Sequence, residues 1–294
     1  MILPEMFVKS KINLRAKFSG IDSYSNCLNK KHFKFFPYEV NYHYNDRGFR
    51  DRSWPNDVKD LKESIWCIGD SFTVGIGSAI SHTWAQKLEA KLKKRCINVS
   101  LDGASNFWIS RQANAILSYI QPQVVIIHWS YWHRTETKNS LNEYIQNHYS
   151  LDQLDEKTLT NNFLSNFDHV EKSKNTTVVI HSFIPFWNHP LKNLSYSWET
   201  LKGDNWPRHV PTTVNDYLHL DDYIKRELHN FGFSEENNIN FLKIQEKLNE
   251  SIYIPEFSVL DLARDGHHYD IKTANYFSNL LIDKLRSISS LTAI

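Results

Sequence analysis

Apolar residues in this chain come in short unbroken runs separated by segments with helical spacing. Five β-rich runs stand out, at residues 65–68, 97–101, 124–128, 177–182 and 258–262. They barely alternate with polar residues, which predicts strands covered on both faces. Between the first two, Trp84, Leu88 and Leu92 recur every four residues within 83–95, and Thr83 with Gln86 has capping-box spacing. Within 109–120, Ile109, Ala113, Ile116 and Ile120 share one helical side before Pro122 stops the helix. Helices are also expected over about 155–172, 235–248 and 270–285. Strand and helix alternating in this way predict an α/β chain with a parallel sheet, wrapped by helices through right-handed crossovers.

Two regions break the alternation. Residues 1–60 carry Pro37, Tyr38, Tyr42 and Tyr44 in irregular, ring-rich order, and read as an N-terminal extension packed on a domain spanning 61–294. Residues 184–232 contain Pro185, Trp187, Pro190, Trp198, Trp206, Pro207 and Pro211, an insertion that begins straight after a sheet strand. Ligands of open parallel sheets gather at the C-terminal strand ends, so the insertion reads as a lid or binding loop, with Trp187 a substrate-binding candidate. A flap without any ligand role fits the same pattern equally well. A length of 294 residues suffices for one large α/β domain with appendages, and no internal repeat or low-complexity tract is present.

Composition narrows the partners. The 34 Lys+Arg and 33 Asp+Glu nearly cancel, so no single-sign field draws the chain to nucleic acid or an anionic membrane. Aromatics make up 14% of the chain, and many fall outside the apolar strands, which suits a ring-rich cleft as well as core and loop packing. Cys27, Cys67 and Cys96 are scattered and form no metal pair or disulfide framework, so they read as small buried hydrophobes in a reducing compartment. The first residues lack the basic start and long apolar run of a signal peptide, and nowhere do 18 apolar residues run together. The default expectation is a cytoplasmic protein, with export by a non-classical route left open.

The chemistry concentrates at two distant places. Gly69-Asp70-Ser71 follows the first apolar run, which puts a serine hydroxyl at the C-terminal lip of the sheet beside a helix start. Free N–H groups there favour a developing negative charge. Alone, the serine is more simply a helix cap or turn former. Near the C-terminus, Asp265-Gly266-His267-His268 opens the last predicted helix. A carboxylate three residues before an imidazole can orient one ring nitrogen while the other takes a proton from serine. The plainer alternative has Asp265 or Asp270 capping that helix, with both histidines at the surface.

Together these blocks resemble the SGNH (GDSL-type) hydrolase superfamily over roughly residues 45–290. The family's first block is Gly-Asp-Ser and its last is Asp-x-x-His, matched by Gly69–Ser71 and Asp265–His268. Asp102-Gly103-Ala104-Ser105 sits where the second block supplies a glycine. Asn45-Asp46-Arg47-Gly48-Phe49-Arg50 is similar to an N-x-x-G-F-R segment that precedes the serine block in some members. The resemblance implies a three-layer flavodoxin-like sandwich with about five parallel strands. It implies Ser71 as nucleophile, His268 as general base, Asp265 as its orienting partner, and the Ser71 and Gly103 amides as oxyanion donors. The implied activity is a serine esterase acting on O-acyl, including O-acetyl, esters of a carbohydrate or small molecule, without cofactor or metal. An acyltransferase using the same site is its near neighbour.

The chain departs from the family in the third block, usually Gly-x-Asn-Asp, whose Asn completes the oxyanion hole. Here the third run leads into His128-Trp129-Ser130-Tyr131-Trp132-His133-Arg134-Thr135-Glu136, with no Asn. Ser130, Tyr131, His133 or Arg134 could substitute, or Asn106 could turn in from the loop after Gly103. Loss of one such donor costs about a hundred- to a thousandfold in rate, so a weakly catalytic or purely binding module is the second reading. Asp70, Tyr131 and Arg134 are further substrate-binding candidates, Arg134 because a guanidinium grips a carboxylate or phosphate in bidentate fashion. A plain Arg134–Glu136 ion pair is the competing use. His128, His133, His181 and His189 show none of the spacings of a metal site.

Overall fold

Apolar runs become the sheet where helices can cover them on both faces. The computed structural model describes residues 6–28, 31–131, 134–140, 144–148, 156–184, 246–254, 257 and 259–288. From the start of the central sheet, the main elements in chain order are β1 (Ile65–Gly69), α1 (Ser71–Val74), α2 (Trp84–Leu92), β2 (Cys96–Ser100), α3 (Asn106–Tyr119) and β3 (Val124–Trp129). There follow β4 (Arg134–Lys138), β5 (Tyr144–His148), α4 (Glu156–Ser173), β6 (Val178–Phe183) and α5 (Ile271–Ser287). The central sheet is parallel with order β2-β1-β3-β6, the flavodoxin-like succession. Gly69 is in register with Ser100 on one side and His128 on the other, so three strands end at one lip.

Side chains alternate between two cores. Trp66, Ile68, Val99, Val125 and Ile127 face one, where they meet Trp108, Ile109 and Ile116 of α3 and Phe163 and Phe167 of α4. Ile65, Cys67, Val124, Ile126 and Ile180 face the other, against Trp84 and Leu88 of α2 and Phe277 and Leu281 of α5. The helix starts follow local chemistry. Thr83 caps α2 by accepting from Gln86 N at 3.4 Å, and Ser105 caps α3 by accepting from Trp108 N at 3.2 Å.

The fifth predicted strand is corrected. Among the described residues the run at 258–262 forms no strand, because it serves the last helix instead. Asp261 takes the Lys272 and Thr273 amides at 2.7 and 2.9 Å, while Leu260 stays half exposed. The place beside β6 is held by a single parallel bridge from His181 to Tyr253, flanked by bonds from His181 N to Ile252 O and Ile254 N to His181 O. A second difference is the antiparallel hairpin β4–β5, where polar alternation replaces an apolar run. Ile184 is described, but the rest of the 184–232 insertion and the first part of the helix expected at 235–248 lie outside the described residues.

Upstream residues reach into the sheet region through Asn45–Arg50. Asn45 Oδ1 accepts the Arg47 and Phe49 amides, both at 3.0 Å, and winds the chain into a tight turn. Gly48 sits there at φ +83°, where the Val8 carbonyl fills the space a Cβ would need. Phe49 stacks on Trp54 at 5.5 Å, and Trp54 meets Trp66 of β1 edge-on. The fully buried Arg50 then donates to Val74 O at 3.2 Å, Gly75 O at 2.5 Å, Ser78 O at 2.7 Å and Asn41 O at 3.0 Å.

Phe277 is central to the second core, stacked on Phe257 at 4.4 Å and edge-on to Trp84 at 5.3 Å. Phe277→Ala is expected to cost about 3–5 kcal/mol in denaturant unfolding, the range for a buried aromatic truncation. A loss below about 1 kcal/mol would mean this face is not tightly packed.

Candidate active site

Ser71 is the first residue of α1, directly after β1. Asp70 caps that helix, with Oδ1 accepting from Phe72 N at 3.0 Å. The Thr73 and Val74 amides bond to Asp70 O, so of the leading amides it is Ser71 N that lies ahead of the helical ladder. Gly75 ends the short helix in the left-handed region at φ +74°.

Asp265 and His268 form the second half. Asp265 Oδ2 lies 2.6 Å from His268 Nδ1, and Oδ1 accepts the His267 and His268 amides at 2.9 and 3.1 Å. This carboxylate therefore orients an imidazole instead of capping α5, a role taken by Asp261. Gly266, at φ +68°, supplies the tight turn. Burial works to raise the Asp265 carboxyl, but the His268 hydrogen bond and charge, with the two amides, outweigh it and hold Asp265 below the ordinary carboxylate range.

The two halves meet around Phe72. Its ring lies 4.5 Å from that of His268 and 5.7 Å from that of His267. Ser71 and His268 are only 1% and 2% exposed, and Ser71 Oγ and His268 Nε2 are both buried without a hydrogen-bond partner. The structure thus brings the serine and the Asp–His pair to the same lip, with no Ser71–His268 hydrogen bond formed.

Asp70 proves to be more than a cap. Its Oδ2 accepts from Ser130 Oγ and Arg134 Nη1, both at 2.7 Å, and the side chain is wholly enclosed. Burial nevertheless pushes the carboxyl above its usual range, against Arg134, Ser130 and the Phe72 amide. Asp70 and Arg134, both substrate-binding candidates from the sequence, engage each other. Each neutralises the other, and Arg134 Nη1 also donates to Ser130 Oγ at 2.9 Å. Glu136 pairs with Arg111 and Gln146, not with Arg134. Tyr131 is buried, its hydroxyl 3.4 Å from His267 Nε2 and its ring under the Arg134 guanidinium. Trp187 and His133 lie outside the described residues.

The oxyanion candidates divide. Gly103 holds a left-handed turn at φ +75°, and the loop behind it is pinned where Ser105 N donates to Gln146 Oε1 of β5 at 2.8 Å. Asn106 clasps the Ser130 backbone, donating to Ser130 O at 3.1 Å and accepting from Ser130 N at 2.8 Å. Ser130 therefore has both its amide and its hydroxyl engaged with protein. Asn106 has one of its two amide N–H groups committed.

Sequence reasoning missed the Asp70–Ser130–Arg134 cluster and the neutral buried histidines beside it. His128 Nδ1 lies 2.9 Å from Ser182 Oγ, whose own proton goes to Ile127 O, so Nδ1 is the donor. Nε2 is then left to accept from Tyr269 OH at 3.4 Å. His181 accepts from Trp129 Nε1 and pairs with Glu171. Among the described residues no group of three or more His, Cys, Asp or Glu could hold a metal, and no helix is long and apolar enough to cross a membrane.

No family profile matches the chain, and no curated protein matches its sequence. Solved structures do share its outline. TesA aligns at TM-score 0.44 and 14% identity, over 76% of this chain and 98% of its own. The psychrotrophic esterase EstA from Pseudoalteromonas sp. gives 0.43 and 13%, over 76% and 97%. An acetyl xylan esterase, Est2A, from the rumen bacterium Butyrivibrio proteoclasticus gives 0.42 and 12%, over 78% and 65%. At such identities and scores these likenesses assign no activity, and the functional reading below stands on the site.

Arg134→Met leaves Asp70 enclosed without its cation and is expected to cost about 3–5 kcal/mol in urea unfolding; a change under about 1 kcal/mol would show Asp70 to be neutral or hydrated. Burial lowers His128 to about 3, whereas an unfolded histidine titrates near 6.5. The unfolded chain alone binds that proton between these values, so this contribution is complete above pH ~6.5 and shrinks as pH falls through the window. From pH 7 to 4.5 the wild type should lose about 2–3 kcal/mol more stability than His128→Gln. Equal losses in the two proteins would refute a neutral buried His128.

Proposed function

We propose that this protein is a serine ester hydrolase of the SGNH kind, acting on an O-acyl ester, O-acetyl included, of a carbohydrate or small molecule. The observation that carries the reading is the Asp265–His268 pair at 2.6 Å packed on the residue beside Ser71. Buried polar atoms without partners call for an explanation, and those here include the two that proton transfer would use, Ser71 Oγ and His268 Nε2.

In this mechanism Ser71 Oγ attacks the ester carbonyl carbon as its proton passes to His268 Nε2. Asp265 holds the Nδ1–H tautomer and favours the imidazolium. The Ser71 and Gly103 amides stabilise the oxyanion. The intermediate collapses to an acyl-Ser71 ester, and His268 returns the proton to the departing alkoxide, giving the alcohol. Water then attacks the acyl carbon, its proton taken by His268, and the acid leaves as Ser71 recovers its proton. His267, half-buried beside the site, offers a ring face suited to an acyl chain or a sugar face, with Phe72 and Tyr131 packed behind it.

One observation favours a second reading, a carbohydrate- or partner-binding module with reduced catalysis. Both Ser130 donors are engaged with protein, and a missing oxyanion donor costs about 10²–10³ in rate. An acyltransferase would share every step up to the acyl-enzyme and differ in accepting a sugar hydroxyl instead of water.

Ser71→Ala should abolish hydrolysis of a short-chain aryl ester and stoichiometric labelling by a fluorophosphonate, with the fold retained. Asp265→Asn should lower kcat by roughly 10⁴, the scale of losing the tautomer-fixing carboxylate. Undiminished turnover in Ser71→Ala would sink the hydrolase reading. Glycan binding without labelling of the wild type would select the binding module.

A further inference from the structure

Gly77 stands between the two halves of the site. It lies at φ +75°, and a Cβ placed there would come 2.9 Å from Asp265 Cγ, so the loop after α1 and the Asp265 loop touch with no side chain between them. Arg264 N donates to Gly77 O at 3.0 Å. Gly77 N in turn donates to Tyr42 OH at 2.7 Å. Tyr42 OH donates to Asp22 Oδ2 at 2.6 Å. Asp22 finally receives the Arg264 guanidinium in bidentate fashion, at 3.0 Å from Nε and 2.6 Å from Nη2. The contacts close a ring that leaves Arg264 through its backbone and returns through its side chain.

We propose that the Asp22–Tyr42–Arg264 cluster, built largely from residues upstream of the sheet, is a positioning device that holds the Asp265–His268 loop in register with the Ser71 loop. It rests on the triad reading given above. Asp22 and Tyr42 are fully buried, and the Arg264 guanidinium is flanked by the Phe18 and Phe33 rings and donates to Lys17 O at 2.8 Å. The Tyr42 ring also lies 4.3 Å from the Arg50 guanidinium, whose donors hold the carbonyls of Val74, Gly75 and Ser78. The ring is thereby tied to the C-terminal end of the serine helix as well as to the residue preceding Asp265. Burial and the nearby Asp22 carboxylate push the Tyr42 phenol far above its ordinary value, so it remains a donor to Asp22. None of these groups touches a reacting atom. Their effect on rate passes through geometry alone, where a displacement of about 1 Å can cost about a hundredfold.

Tyr42→Phe keeps the ring under Arg50 and removes only the bridging hydroxyl. Well below its unfolding transition, the folded variant should hydrolyse a short-chain aryl ester with kcat lowered about ten- to a hundredfold and KM within about twofold of the wild type. Its second-order rate of fluorophosphonate labelling at Ser71 should fall by the same factor. Phe277→Leu, remote from this ring, should lower the melting temperature and leave the labelling rate unchanged. Should Tyr42→Phe not fold, Asp22→Asn and Arg264→Lys, which retains charge but loses the bidentate grip, carry the same expectation. Folded variants that melt earlier yet label and turn over at the wild-type rate would overturn the proposal, since the cluster would then be structural only. A wild type that is neither labelled nor dependent on Ser71 would instead refute the hydrolase reading, a different and distinguishable result.

Discussion

A carboxylate shut away from water has to be satisfied by protein groups, and at the lip of this sheet that carboxylate is Asp70. It caps the helix that begins with Ser71 and takes the Ser130 hydroxyl and the Arg134 guanidinium from just beyond the end of the neighbouring strand. Enclosing such a group is costly unless the geometry is good and its remaining lone pairs are used. Here each oxygen has its donors, so this one residue ties the position of the serine helix to the path of the chain leaving β3. Whatever Ser71 does, it does from a backbone that Asp70 has set.

Around that anchor the site is assembled from parts far apart in sequence. The hairpin β4–β5 contributes Arg134 to Asp70 and Gln146 to the amide behind Gly103. The last loop contributes the Asp265–His268 pair, and the upstream segment contributes Arg50, whose fixed fork of donors meets several carbonyls at once. Neutral imidazoles fill the space behind the lip. His128 and His181 serve as hydrogen-bonded packing, burial disfavouring their charged forms.

The parallel strands were legible because two-sided burial leaves continuous apolar runs, and four of them fall within a residue or two of their expected bounds. The run at 258–262 misled because its apolar residues flank Asp261, and capping the last helix outweighed pairing with the sheet. The Gly69–Ser71 and Asp265–His268 blocks could be found as patterns, since each is a local constellation of turn and chemistry. The use of Arg134 could not, because its partner lies 64 residues away and sequence supplies no register between a hairpin and a helix cap. Asn45–Arg50 falls between these cases. The motif was visible, while its purpose, an Asx turn that delivers a guanidinium to the end of the serine helix, emerges only when Val74, Gly75 and Ser78 are seen to face it.

That delivery bears on where the unit can be cut. The carbonyls at the end of α1 find their donors upstream of the sheet, and a fragment beginning at residue 61 would carry them without Arg50 to meet them. Water could replace some of those contacts, but it could not supply the rigid spacing of one planar group shared among four acceptors. A unit that keeps those contacts is therefore larger than the sheet and its helices, and includes Asn41–Arg50.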